Sequence, residues 1–127
     1  MKKKIIYPLH QWEEAKAQAT KILSEVASRE DGFITYSELA EQITVMQVEA
    51  RDPKLFKLLE EISTAEDEAG RGMLSAIVVH KTGGMRPGQG FFDLAKELGR
   101  DTSNDDACWL TEVATVRDYW TNKANQP

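Results

Sequence analysis

From Trp12 to Val26 apolar residues recur at intervals of three and four. Trp12, Ala15, Ala19, Ile22, Leu23 and Val26 share one face and predict an amphipathic helix, which the turn chemistry of Asp31-Gly32 ends. Phe33, Ile34, Thr35 and Tyr36 are aromatic or β-branched and predict a short strand. Tyr36 to Ile43 predicts a short helix with Leu39, Ala40 and Ile43 inward. Thr35 is its N-cap and Glu38, three residues on, completes a capping box. Val45 to Ala50 is a connection. Asp52-Pro53 opens the next helix, with Asp as N-cap and Pro at the first helical position. That helix is expected to bury Leu55, Phe56, Leu58, Leu59, Ile62 and Ala65 and to stop at Gly70 and Gly72.

The stretch from Met73 to Phe92 breaks this pattern. An apolar run from Met73 to Val79 meets a turn of Thr82, Gly83 and Gly84, then a second turn of Pro87, Gly88, Gln89 and Gly90. Apolar run, Gly pair and Pro-Gly together predict a strand that leaves the core, makes a hairpin and returns. Phe91, Phe92, Leu94, Ala95 and Leu98 then predict a helix ended by Gly99. Arg100 to Asp106 is a polar loop, and Trp109, Val113, Val116 and Trp120 mark a last amphipathic helix. Helix, strand, helix, helix and hairpin in that order is the plan of a winged helix-turn-helix. The expected fold is therefore α+β, a single winged-helix domain over residues 1–127 with a small β-hairpin wing and added N- and C-terminal helices.

Composition narrows the function classes. A chain of 127 residues suffices for one core. Its apolar runs are too short to cross a bilayer, and Lys2, Lys3 and Lys4 lead into only Ile5, Ile6 and Tyr7 before Pro8, which is no secretory leader. The single Cys108 allows no internal disulfide and fits a reducing cytoplasm. A net charge of −5 excludes a uniformly basic nucleic-acid binder and leaves room for a local basic patch.

Two segments resemble the DNA-binding domain of alkylguanine-DNA alkyltransferases and alkyltransferase-like proteins. Ile34-Thr35-Tyr36-Ser37-Glu38-Leu39-Ala40 is similar to that family's Thr-Tyr-Gly-Glu-Leu-Ala. Ser75-Ala76-Ile77-Val78-Val79, followed by Gly83, stands where the family has Cys-His-Arg-Val-Val and a Gly. The resemblance implies a DNA-binding fold. Tyr36 matches the family's Tyr that helps extrude a base, and Lys54 stands near the Arg that assists it. It also argues against alkyl transfer, because Ser75 replaces the nucleophilic Cys while Ala76 and Ile77 replace the His and Arg beside it.

Candidate binding residues follow. His80, Lys81 and Arg86 flank the hairpin tip, where a wing contacts phosphate. Lys54 and Lys57 lie in the first turns of the second helix, the end that enters a groove, with Arg51 just before. Against them stand Glu60, Glu61, Glu66, Asp67 and Glu68, which repel phosphate unless they face away and which would otherwise offer an acidic face to a basic protein partner. Asp101, Asn104, Asp105 and Asp106 lack calcium-loop spacing and read as a polar loop with a helix N-cap. There is no nucleophile elbow around Ser75, no phosphate loop in Gly83 to Gly90, and no acid two residues before Lys81. An exposed stripe of Trp12, Trp109 and Trp120 would make a homodimer seam; buried, these are core residues.

These observations predict a non-enzymatic binding module without catalytic residues, metal or cofactor. Duplex DNA is the first expected ligand, through Tyr36, Lys54, Lys57, His80, Lys81 and Arg86. The competing expectation is an acidic protein-interaction factor of the inhibitor or immunity type using the same fold.

Overall fold

The computed structural model describes residues 9–125; the N-terminal segment from Lys2 to Pro8 lies outside them. The elements are α1 (Leu9–Ala27), β1 (Ile34–Thr35), α2 (Tyr36–Gln42), α3 (Pro53–Glu68), a 3₁₀ turn (Leu74–Ile77), β2 (Val78–Val79), α4 (Gln89–Glu97) and α5 (Asp105–Ala124). It is an α+β arrangement, mostly helical, with one two-stranded sheet.

The helix starts form as their caps dictate. Thr35 Oγ1 accepts from the Glu38 N–H at 3.1 Å and a Glu38 carboxylate oxygen accepts from the Thr35 N–H at 2.9 Å, a complete capping box for α2. Asp52 accepts from the Lys54 N–H at 2.9 Å with Pro53 at the first position of α3. Asn104 accepts from the Ala107 N–H at 3.0 Å and starts α5. Leu23, Leu39, Leu55, Leu58, Leu74 and Ile77 are fully buried where α1, α2, α3 and the 3₁₀ turn meet. Each contributes about 1.5–3 kcal/mol on burial. A second cluster joins Met73, Ala76, Phe91, Phe92 and Ala95 to Cys108 and Val113 of α5. Residues 76 and 77 face the two clusters and so make the 3₁₀ turn the centre of the molecule. Residues expected inside that are not are Ala65, which is exposed, and Phe56, at 45% exposure.

The expected hairpin wing is the main departure. β2 pairs with β1 in parallel, Ile34 opposite Val78 and Thr35 opposite Val79, and no return strand follows among the described residues. Residues 80–87 instead form a loop closed by the His80 N–H donating to the Arg86 carbonyl at 2.8 Å. Gly83, Gly84 and Met85 take left-handed conformations, with φ of 79°, 92° and 55°, which curl the chain rather than extend it. Pro87 then leads directly into α4. Only the last two residues of the apolar run, Val78 and Val79, are strand. The Ser75 N–H is taken by Ser63 Oγ at 3.0 Å and the Ala76 N–H by the Met73 carbonyl at 2.9 Å, so the earlier part offers no ladder to a neighbour. The connection from Ile43 to Asp52 is longer than the roughly three- or four-residue turn of a simple helix-turn-helix. Gln18 secures it by accepting from the Thr44 N–H at 2.9 Å and donating to Thr44 Oγ1 at 2.8 Å.

Candidate functional site

A cleft of about 440 Å³ opens between α2, α3, the 3₁₀ turn and α4. Its floor is buried: Leu59, Ser75, Phe91 and Leu94. Its walls are aromatic, from Tyr36, Phe56 and His80, and its exposed rim carries Glu60, Gln89, Asp93 and Glu97. This size and mixture, an apolar body with a few polar groups, suits one small planar group or one side chain.

Tyr36 is the fulcrum. The capping box places it in the first turn of α2 with its ring directed away from solvent. Its hydroxyl accepts from the Gly88 N–H at 2.9 Å, which ties α2 to the start of α4. The His80 ring lies 4.7 Å from the Tyr36 ring at 40°, and Phe56 meets Tyr36 edge-on at 5.9 Å. Burial pushes the Tyr36 phenol above its ordinary value, while the Gly88 hydrogen bond pulls the other way. Gly88 fits because it is small: a Cβ there would stand 3.0 Å from His80 Nε2 and 3.5 Å from the Tyr36 hydroxyl.

Ser75 sits in the cleft floor at 7% exposure. Ser63 Oγ donates to Ser75 Oγ at 2.7 Å and accepts from the Ser75 N–H at 3.0 Å. Ser63 Oγ is thus bonded to Ser75 twice, to the Ser75 hydroxyl and to the Ser75 N–H. No histidine or carboxylate hydrogen-bonds to Ser75 Oγ, so the activating base that a serine nucleophile requires is not in contact with it. Cys108 lies on α5, away from this cleft. Its thiol is buried and pushed up by that burial and by the charge of Glu112, the reverse of a reactive thiolate. No cluster of three or more metal-ligating side chains occurs among the described residues.

The residues singled out from the sequence divide into two groups. Tyr36 and His80 line the cleft, and Lys57 and Lys81 are exposed. Lys57 makes only a loose pair with Glu60 at 3.9 Å. Lys54 and Arg86 are engaged internally. The Lys54 ammonium donates to the Gln47 carbonyl at 2.8 Å and pairs with Asp52 at 3.2 Å. Arg86 pairs with Asp106 and lies over Trp109, 5.7 Å from the ring centre, which pins the loop to α5.

The acidic run does not form one face. Glu61 accepts from Trp12 Nε1 at 3.0 Å and from Lys16 at 3.1 Å. Burial pushes Glu61 up, but those two hydrogen bonds and the Lys16 charge outweigh it and hold it below the usual carboxylate range. Glu66 is buried against Arg71, and Asp67 pairs with Arg100. Only Glu60 and Glu68 of the five are exposed. The tryptophans are likewise occupied: Trp109 Nε1 donates to the Ala76 carbonyl at 2.8 Å, while Trp12 and Trp120 pack against the core, leaving no exposed tryptophan stripe.

Phe56, Gln89, Asp93 and Glu97 were not singled out as site residues. The last three stand four residues apart on α4, a spacing that puts them on one helical face, and this was the available signal. No helix among the described residues is long and apolar enough to cross a membrane. No protein-family model matches this sequence, and neither the curated proteins nor the solved structures contain a match to it.

Proposed function

We propose that this protein is a non-enzymatic DNA-binding module and that the cleft beside α2 receives an exposed base. One observation carries this reading. Tyr36 and Ser75, far apart in the chain and the two positions through which the alkyltransferase resemblance runs, line the same cleft. Phe56 and His80, exposed on either side of the buried Tyr36 ring, offer stacking surfaces to a planar ring, while Lys57 and Lys81 are exposed to meet phosphate. The serine without an activating base and the buried cysteine support binding without chemistry. Phe56 is exposed enough to truncate without a core cavity, so Phe56→Ala isolates stacking. It should weaken oligonucleotide binding by about 1–3 kcal/mol. Titration of labelled duplex and single-stranded DNA at low salt, followed by fluorescence anisotropy, tests this; failure of both to bind would end the proposal.

The carboxylates of Glu60, Asp93 and Glu97 favour a second reading, a protein partner that inserts a basic side chain between the aromatic walls. Saturable binding of an arginine-containing peptide by a protein that ignores DNA would establish it instead.

A further inference from the structure

The cleft has two sides of different chemistry. On the α3 side Phe56 is 45% exposed, a large apolar face turned to water. On the α4 side stand Asp93 and Glu97, and neither makes an ion pair among the described residues, not even with the exposed Lys96 between them in sequence. A matching occupant is attached nearby. Residues 2–7, Lys-Lys-Lys-Ile-Ile-Tyr, lie outside the described residues and precede α1, which begins at Leu9. Trp12 donates to Glu61 at 3.0 Å, so the start of α1 lies against α3, and the next residue to Glu61, Glu60, is already on the cleft rim. The five residues from Leu9 back to Lys4 reach about 17 Å when extended. That exceeds the roughly 10–12 Å width of a helix with its side chains.

We propose that residues 2–7 cross the exposed side of α3 and cover this cleft, with Ile5 and Ile6 against Phe56 and Lys2 to Lys4 at Asp93 and Glu97. The order of chemistry along the segment matches the order across the cleft. Leading away from Leu9, the uncharged Tyr7 and Ile6 come first and pass the exposed Lys57 ammonium without repulsion. The isoleucines then meet the apolar wall, and the cations arrive last, at the acidic rim. Exposed ion pairs contribute little on their own, so the apolar contact holds the segment and the charges set its direction. Any occupant from outside has to displace it. The inference does not depend on the DNA reading.

The test is zero-length carbodiimide coupling of the full chain at low salt, without nucleic acid, read by peptide mass mapping. This reagent joins a carboxylate to a lysine amine only where the two touch. Lys2, Lys3 or Lys4 should couple to Asp93 or Glu97 within one chain, well above their coupling to exposed acids elsewhere, such as Glu30 and Glu68. The double variant Ile5→Ser with Ile6→Ser keeps every reactive group and should bring that coupling down to the level of Glu30 and Glu68. Phe56→Ala, at an exposed position, should do the same from the other side of the contact. Coupling to Asp93 and Glu97 no greater than to the other acids, or coupling unchanged in both variants, would overturn the proposal. Cross-links that join isotope-labelled to unlabelled chains in a mixture would give the cleft to a second copy's segment and overturn the cover within one chain. With no DNA present, each outcome is separate from the fate of the DNA reading.

Discussion

Tyr36 links three features through one side chain: a helix start, a stacked histidine and the N–H of Gly88. Tyr36→Phe keeps the ring and removes the acceptor, so urea denaturation should register a loss of about 0.5–1.5 kcal/mol at neutral pH. The same variant has a pH signature. The folded phenol titrates above its ordinary value of 10.0 because burial disfavours the phenolate. The stabilisation is complete below that ordinary value, where both states are protonated. It is lost as pH rises through the folded value, because the unfolded chain ionises first. The gap between wild type and Tyr36→Phe should therefore narrow above about pH 10; a constant gap would mean the phenol is not buried. Gly88→Ala probes the same spot sterically. Its Cβ, 3.0 Å from His80 Nε2, requires the imidazole to give by a few tenths of an ångström, and oligonucleotide binding should weaken while the melting temperature changes little.

At the scale of elements, the 3₁₀ turn is held by polar groups that come from two helices. Ser63→Ala leaves the Ser75 N–H without its partner in the core and should cost about 1–3 kcal/mol. Glu112 of α5 accepts from the Met73 N–H at 3.1 Å and from two Arg100 nitrogens at 3.1 and 3.0 Å, almost fully buried. Glu112→Ala should destabilise by about 3 kcal/mol in the same denaturation assay. These fastenings explain what the sequence could show and what it could not. Helix starts were legible because a cap and its partner lie within three residues, as at Thr35–Glu38 and Asp52–Lys54. The faces of α1 and α5 were legible because one side meets water. Met73 to Val79 was not, because a segment buried on every side has no periodicity to separate a 3₁₀ turn from a strand. The partner of β2 was not either, since it is the distant β1 in parallel and not the next segment of chain. The acidic run misled for the same reason: Glu66 and Asp67 are neutralised by Arg71 and Arg100, which lie beyond the helix that carries the acids. At the site, Tyr36 was legible through its motif. Phe56 shares the spacing of core residues, and only the packing of α4 beside α3 leaves it facing a cleft.

For the whole molecule, the proposed DNA binding has to be reconciled with a net charge of −5. Of four cations that could have tracked phosphate, Lys54 serves the cap of α3 and Arg86 clamps the loop to α5, which leaves Lys57 and Lys81. About two phosphate contacts imply a slope of log affinity against log salt near −1.8 for a duplex or −1.4 for a single strand. Changing Lys57 and Lys81 together to Glu should flatten that slope and weaken binding to all sequences alike, because phosphate contacts position the protein without reading bases. Arg86→Ala should behave differently. It removes a cation that lies over Trp109 and pairs with Asp106, so it should lower stability and loosen the loop while leaving the salt slope unchanged. Parallel salt titrations of the two variants separate these outcomes. A steep wild-type slope, near −3.6 on duplex DNA, that falls in Arg86→Ala would mean that the internal pairs open on binding and that all four cations reach phosphate. A shallow slope insensitive to Arg86 and abolished with Lys57 and Lys81 would leave the cleft, rather than the charge of the surface, as the main source of affinity.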